Sequence, residues 1–422
     1  MALSVNKRSP TRHYDVTQAF LNGRLQKEIY MEPAPGFEED HDTVYKLRQS
    51  IYGLKQAGRV WHEVLSEFLI GFGFERCSAD ICAFVLRKNE QTAILLSNVD
   101  DLYFLCPDDS VREQFDVAFR ARFTVTGGDV IKSSLGIEFR YALDYSWVTM
   151  TQLGYCEELL KRHNMADCKP RQTPADSGRR LSSEDSPSSV PKPGTALYDI
   201  QKEYRRAVGG LLYLSCTTRP DLAEAVRAVC RFMSNPGFPH WKAVKRIFRY
   251  LRGSSTEGIK FTRSENPLLA YADADYANNV DNRRSVSGWL LLLSGGPVCW
   301  NSTLQRVTAQ SSAEAEYISL ADCAKEIIWV RHLLREFDEP QSGPTVVFED
   351  NRAAISLTEE SASHKRTKHI DVRYHLLRES STKRVLQLEH IGTEEMIADL
   401  LTKPLGIIKF TRFKPTLVVK PS

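Results

Sequence analysis

The 422-residue sequence lacks the features that would send a chain out of the cell or into a bilayer. Its first residues, MALSVNKRSPTR, contain no apolar core of the kind a signal peptide needs. The run Leu290-Leu291-Leu292-Leu293 falls far short of the roughly 20 apolar residues that span a membrane. Nine cysteines are scattered with no CxxC pair among them. That excludes a zinc ribbon or a thioredoxin-like motif and suits a reducing interior. Charge of one sign is also missing: 56 basic residues stand against 53 acidic ones, a net charge of +3. No uniform cationic coat is possible, although local basic stripes and acidic sites are. The expectation is an intracellular protein that is neither secreted nor membrane-embedded.

What is present is the composition of a globular protein, 42% hydrophobic and 26% charged. The length suits two or three domains of about 100–200 residues each. One stretch, QTPADSGRRLSSEDSPSSVPKPGT over residues 172–195, is rich in Pro, Ser and charge and reads as a mobile linker. Before it, TAILLSNVDDLYFLC is two apolar runs meeting at a polar centre, a hairpin pattern, and HEVLSEFLIGFGF reads as a helix ended by glycine. After it, YRRAVGGLLYLS, PDLAEAVRAVCRFM and PHWKAVKRIFRYLRG read as helices. From about Pro267 three strands come first, followed by alternating helices and strands, which suggests a mixed sheet covered by helices.

Carboxylates sit at the ends of several of these elements. In the last third, Asp273 ends a strand, Glu314 opens a long helix, Asp350 ends the strand PTVVFED and Asp399 lies within the helix TEEMIADLLTK. Acids that converge repel one another unless a cation neutralises them, and hard oxygen ligands suit Mg²⁺. Glu314, three residues after Ser311, also fits a helix-capping box, and Asp350 before Asn351 could simply begin a helix. Asp275 shares a strand face with Asp273 as a weaker candidate. In the first half, Asp100 and Asp101 occupy the hairpin turn and Asp15 precedes AFLNG. On the helix HWKAVKRIFRYLRG, Lys242, Lys245, Arg249 and Arg252 form one basic stripe that could follow a phosphate backbone or simply face solvent.

Longer blocks carry a resemblance. HYDVTQAFLNGRLQKEIYMEPAPGF, VYKLRQSIYGLKQAGRVWH, LLSNVDDLYF and YRRAVGGLLYLSCTTRPDLAEAV resemble the reverse transcriptase of copia-type retrotransposon Pol polyproteins. YADADYA, DNRRSVSGW, SSAEAEYISL, EDNRAAI, RTKHIDVRYH and IADLLTKPL resemble the ribonuclease H domain of the same family.

The resemblance implies a mixed α+β and α/β chain. Its parts are a partial polymerase palm over 1–140, a thumb or connection region over 141–262 containing the linker 172–195, a ribonuclease H-like sheet over 263–410 and a tail over 411–422. It implies metal-binding carboxylates at Asp273, Glu314, Asp350 and Asp399, with His390 assisting product release. Asp15, Asp100 and Asp101 would be the polymerase carboxylates, and Gln56 and Gly53 would line the nucleotide and template site. Two Mg²⁺ ions per site, or Mn²⁺, would serve hydrolysis of RNA in an RNA–DNA hybrid. RNA template and DNA primer are the partners implied for synthesis.

Departures from the family pattern point away from DNA synthesis. Fourteen residues precede Asp15 where the family has a fingers subdomain, Asn98 replaces an aromatic before Val-Asp-Asp, Thr17 replaces a lysine, and Gly58 replaces a proline. Positioning is most of phosphoryl-transfer catalysis. The expectation is a ribonuclease H with little or no polymerase activity. The alternative is a non-catalytic transposon remnant or a co-opted nucleic-acid-binding protein.

Overall fold

The computed structural model describes residues 1–37, 43–189, 191–359 and 371–421, without the side chains of 359 and 371–374. The chain divides into two compact units. One comprises Lys7–Ile131 with His332–Pro340, and the other comprises Met1–Asn6, Lys132–Arg331 and Gln341–Ser422.

The smaller unit is built on a six-stranded sheet. Its strands are β1 (Thr11–Val16), β2 (Glu75–Arg76), β3 (Ala83–Lys88), β4 (Gln91–Asn98), β5 (Asp101–Leu105) and β6 (Val125–Val130), in the order β2-β3-β4-β5-β1-β6. Two helices, α1 (Ala57–Phe72) and α2 (Asp109–Arg122), pack on it. Both obey local signals. Gly73, at φ 117°, ends α1 in the left-handed conformation that glycine adopts most cheaply. Asp108 caps α2 by accepting from the Ser110 and Val111 amides. Trp61, Leu65 and Leu69 of α1 and Phe115 and Phe119 of α2 are buried against Phe84, Leu95 and Phe104 of the sheet.

The larger unit begins with a four-stranded sheet. Here β7 (Ser133–Ser134), β8 (Ile137–Tyr141), β9 (Trp147–Thr151) and β10 (Ile259–Thr262) lie in the order β10-β9-β8-β7. Between β9 and β10 come the helices α3 (Leu153–Arg162), α4 (Ala196–Thr217), α5 (Ala223–Cys230) and α6 (Phe238–Gly253). A fully buried ion pair joins them. Arg219 donates to both carboxylate oxygens of Asp221 at 2.9 and 2.7 Å, and to the Ser254 carbonyl at 2.8 Å. Tyr250 of α6 donates to the same Asp221 carboxylate at 2.6 Å. Burial opposes ionisation of Asp221, yet Arg219 and these donors keep its pKa below the ordinary value.

Residues 172–195 are tied down at several points, unlike the mobile linker their composition suggests. The Ser182 hydroxyl donates to Asp281 at 2.8 Å, and its carbonyl lies 2.9 Å from Nε2 of buried His240 on α6. Asn235 donates to the Pro187 carbonyl at 3.0 Å. These hydrogen bonds act together with Ala175 and Leu181, which pack against the core of the larger unit. The last residues also fold back: Leu417 and Val418 are buried, and Val419 bridges Gly258.

The rest of the larger unit is a five-stranded mixed sheet. It comprises β11 (Leu269–Asp275), β12 (Val286–Leu293), β13 (Gly296–Leu304), β14 (Thr345–Glu349) and β15 (Leu386–His390). The order is β13-β12-β11-β14-β15, with β11–β13 antiparallel and β14 and β15 running parallel to β11. The helices here are α7 (Ser312–Glu336), α8 (Arg352–Glu359), α9 (Asp371–Thr382), α10 (Asp399–Thr402) and α11 (Ile407–Phe413). The predicted last helix is the main difference. Residues 393–398 make turns, and helix begins only at Asp399, which therefore opens α10 instead of lying inside a longer helix. Among the described residues, no helix is long and apolar enough to cross a membrane.

Candidate functional site

The mixed sheet sends the ends of β11 and β14 to one place. Asp273 near the end of β11, Asp350 just after β14 and Glu316 in the first turns of α7 bring carboxylate oxygens within 4.8 Å of one another. Among the described residues no other group of three His, Cys, Asp or Glu side chains does so. Asp273 is 1% exposed and Glu316 6%. The Ser319 hydroxyl of α7 donates to the Asp273 carbonyl at 2.9 Å, fastening the helix to the sheet directly beside the cluster.

Glu316 replaces the expected Glu314. On a helix the two point about 200° apart, so only one can face the sheet. The Glu314 carboxylate accepts from the Gln310 amide at 2.9 Å, while its own amide donates to the Ser311 hydroxyl at 3.1 Å. Glu314 thus serves the start of α7, as the capping alternative allowed. Periodicity did not separate the two: Ser319, Leu320 and Cys323 follow Glu316 on one face and Tyr317, Ile318 and Ala321 follow Glu314 on another, and all six are buried.

Asp350 is free to join because its neighbour caps the helix. The Asn351 side chain accepts from the Ala353 and Ala354 amides at 3.0 and 3.2 Å. Glu349, fully buried behind the cluster, was not anticipated. Oε2 of both Glu316 and Glu349 is buried without a hydrogen-bond partner.

The fourth expected acid stands apart from this trio. Asp399 is buried and held by two lysines, with Lys403 Nζ 2.6 Å from Oδ1 and Lys409 Nζ 2.7 Å from Oδ2. Lys403 also lies 3.6 Å from Asp273 Oδ2, and the Thr402 hydroxyl donates to that same oxygen. His390 is exposed at the end of β15, in register with Glu349. Asp275 is half-buried and receives a hydrogen bond from Asn278.

The electrostatics suit a bound cation. Burial, followed by Asp399 and Asp350, raises the Asp273 pKa to about 7, although Lys403 and Thr402 oppose the shift. Burial and the surrounding acids push Glu316 and Glu349 well above the ordinary range. Burial disfavours the Lys403 ammonium, yet Asp273 and Asp399 hold its pKa above the ordinary value. Three crowded oxygen donors, two of them buried, with an orphaned carboxylate oxygen among them, fit a hard divalent cation.

In the smaller unit the three expected acids share one end of the sheet. Asp15 lies directly opposite Asp101 in the β1–β5 ladder, and Asp100 sits in the two-residue turn before β5. Val99 in that turn has φ 58°, a costly conformation for a β-branched residue, and the buried Trp61 indole donates to its carbonyl at 2.7 Å. Two of the three acids accept hydrogen bonds from neighbouring side chains. His13 Nε2 lies 2.5 Å from Asp101 Oδ1, and the Tyr52 hydroxyl donates to Asp100 at 3.1 Å. Gln56 precedes α1 and makes no capping bond, and Gly53 has φ 95°.

The basic stripe on α6 is divided. Arg249 and Arg252 donate to the Lys169 and Ala166 carbonyls, each at 2.6 Å, and so pin the preceding loop. Lys242 and Lys245 remain exposed.

The family described as "Reverse transcriptase (RNA-dependent DNA polymerase)" matches residues 1–177. The retrovirus-related Pol polyprotein from transposon TNT 1-94 of Nicotiana tabacum is 39% identical over 94% of this chain and 30% of its own length. The chain thus spans less than a third of that relative. Among solved structures, the foamy viral protease–reverse transcriptase in complex with dsDNA is 11% identical, covering 93% of this chain and 70% of that one at a TM-score of 0.47. LC11-RNase H1, isolated from compost, is 16% identical over 32% of this chain and 93% of its own, with a TM-score of 0.26. Residues 1–177 belong to that reverse transcriptase family, and over 94% of its length the chain is similar to a retrotransposon Pol polyprotein.

Proposed function

We propose that the chain hydrolyses the RNA strand of an RNA–DNA hybrid, with Asp273, Glu316 and Asp350 as the carboxylates that hold a divalent cation. The observation that carries this reading is the approach of their oxygens to within 4.8 Å, at the end of a mixed sheet. Mg²⁺ or Mn²⁺ bound there would supply activated water and neutralise charge building on the phosphodiester oxygens. The protein's part is to hold the three carboxylates together at the ends of β11 and β14 and on α7, with Asp273 and Glu316 buried and Asp350 partly open to solvent. Asp399 would complete the shell of a second ion in exchange for its present lysine partners. Lys403 would otherwise supply the positive charge beside Asp273. His390, exposed at the end of β15, would aid departure of the cleaved strand.

DNA synthesis is not part of this proposal. Asp101 is engaged by His13 and Asp100 by Tyr52, which supports a palm that does not gather its acids for catalysis. The partners follow from the chemistry: an RNA–DNA hybrid as substrate, without a role for RNA template and DNA primer in extension by this chain alone. The test is cleavage of end-labelled RNA in a hybrid by the purified chain with Mg²⁺. Glu316→Gln should abolish it and Glu314→Gln should not. Equal cutting by wild type and Glu316→Gln would overturn the assignment.

A further inference from the structure

A cavity of about 730 Å³ opens in the larger unit between the segment 171–181, the helices α5 and α6, and the residues around Asp275 and Lys403. Ten cationic side chains line it against three carboxylates, in a chain whose overall charge is nearly balanced. Most of these cations already have work: Arg246, for example, donates to Thr173 at 2.9 Å and lies 3.3 Å from Asp176, which ties the segment to α6 as a wall. Four do not. Arg171, Arg179, Arg180 and Lys242 are exposed, and their side chains have no hydrogen-bond or ion-pair partner among the described residues. The floor is apolar, with Leu181, Ile247 and Leu405.

We propose that this cavity is a subsite for one or two nucleotides of a single strand, with phosphates on the unpaired cations and a base on the apolar floor. The volume is that of a small-ligand cleft, about 300–1,000 Å³, and is too small for a duplex. Cations above an apolar floor match a nucleotide, whose two halves are an anion and a flat ring. The source is a strand, not a free nucleotide, because the cavity shares Lys403 with the carboxylate site and is bordered by Asp275, two residues beyond Asp273 on β11. A chain running past the carboxylates would thread directly into it. The inference rests on the hydrolase reading only for that direction of travel.

The test uses the full chain and a fluorescein-labelled ten-nucleotide DNA single strand, followed by anisotropy across a KCl series. Arg179→Ala/Arg180→Ala/Lys242→Ala should weaken binding at least about tenfold and lower the salt slope by about 2, since each single-strand phosphate contact contributes roughly 0.7. All three residues are exposed, so the thermal midpoint should not move, and an unmoved midpoint excludes misfolding as the cause. Asp350→Asn should lose hybrid cleavage while binding the oligonucleotide as wild type does, which separates failure of this subsite from failure of the hydrolase reading. Unchanged affinity and slope in the triple variant would overturn the proposal. Competition by a nucleoside triphosphate as effective as that by the oligonucleotide would overturn it too, in favour of a free-nucleotide site.

Discussion

Asp273 and Gly288 face each other across the β11–β12 ladder, and the missing side chain at Gly288 lets α10 lie against the sheet beside the Asp273 carboxylate. A Cβ at Gly288 would stand 2.6 Å from Thr402 Cγ2 and 2.9 Å from Leu401 Cβ. Thr402 is the residue that donates to Asp273, and Asp399 and Lys403 flank it. The glycine therefore decides whether the last part of the chain reaches the site.

Gly288→Ala should displace α10. Overpacking of a well-filled core costs about 1–3 kcal/mol, and thermal unfolding should report a lower midpoint. Hybrid cleavage should fall by more than the loss of folded protein accounts for, because Lys403 and Asp399 move with the helix. Full activity at a lowered midpoint would show that α10 is dispensable to the chemistry.

The two glutamates of α7 should separate cleanly. Glu316→Gln should weaken Mn²⁺ binding, measured by calorimetry, by on the order of 100-fold, as expected when a ligand is lost. Glu314→Gln should leave metal binding intact and cost roughly 1 kcal/mol through the weakened helix start, readable in urea unfolding. The opposite ranking would restore Glu314 to the site.

The raised pKa of Asp273 has a pH consequence with a definite sign. With its folded pKa at about 7, well above the ordinary 3.8, the native state holds a proton that the unfolded chain has released. The resulting stability is fully present below about pH 4 and is lost as pH rises through about 7. In EDTA, the Asp273 contribution should thus make the thermal midpoint decline over that window, and Asp273→Asn should flatten the decline. Added Mg²⁺ should raise the midpoint most above pH 7, where Asp273 is ionised. A wild-type profile identical to that of Asp273→Asn would contradict the shift.

The buried pair Arg219–Asp221 should be among the most sensitive positions away from the site. Removing one partner leaves an uncompensated buried charge, at a cost of about 3–5 kcal/mol. Arg219→Met alone should therefore unfold at much lower urea than wild type. Arg219→Met/Asp221→Leu should recover a substantial part of the loss, since both charges are then gone. No recovery in the double variant would point to the Ser254 and Tyr250 contacts as the main contributors.

Template-directed DNA synthesis should be undetectable with the purified chain, assayed by primer extension on an RNA template. Extension that disappears in Asp100→Asn would show that the palm acids do assemble despite their contacts with His13 and Tyr52.

Much of this protein could be read from local pattern. The two apolar runs of TAILLSNVDDLYFLC specified the β4–β5 hairpin, and Gly73 specified a helix end, because strand pairing across a two-residue turn and helix termination depend on residues close in sequence. Asp273 and Asp350 were recognisable as strand-end acids for the same reason. What only the tertiary structure decided were choices among chemically identical neighbours. Glu314 and Glu316 differ by about 200° around one helix, and the sheet position of Asp273 selects between them. Asp399 sits in a motif that looks complete, yet its partners are Lys403 and Lys409, the second arriving from another helix. The segment 172–195 has the composition of a tether, but Asp281, Asn235 and His240 of α6, distant in sequence, hold it in place. Each of these outcomes depends on contacts between residues far apart along the chain, which no local pattern encodes.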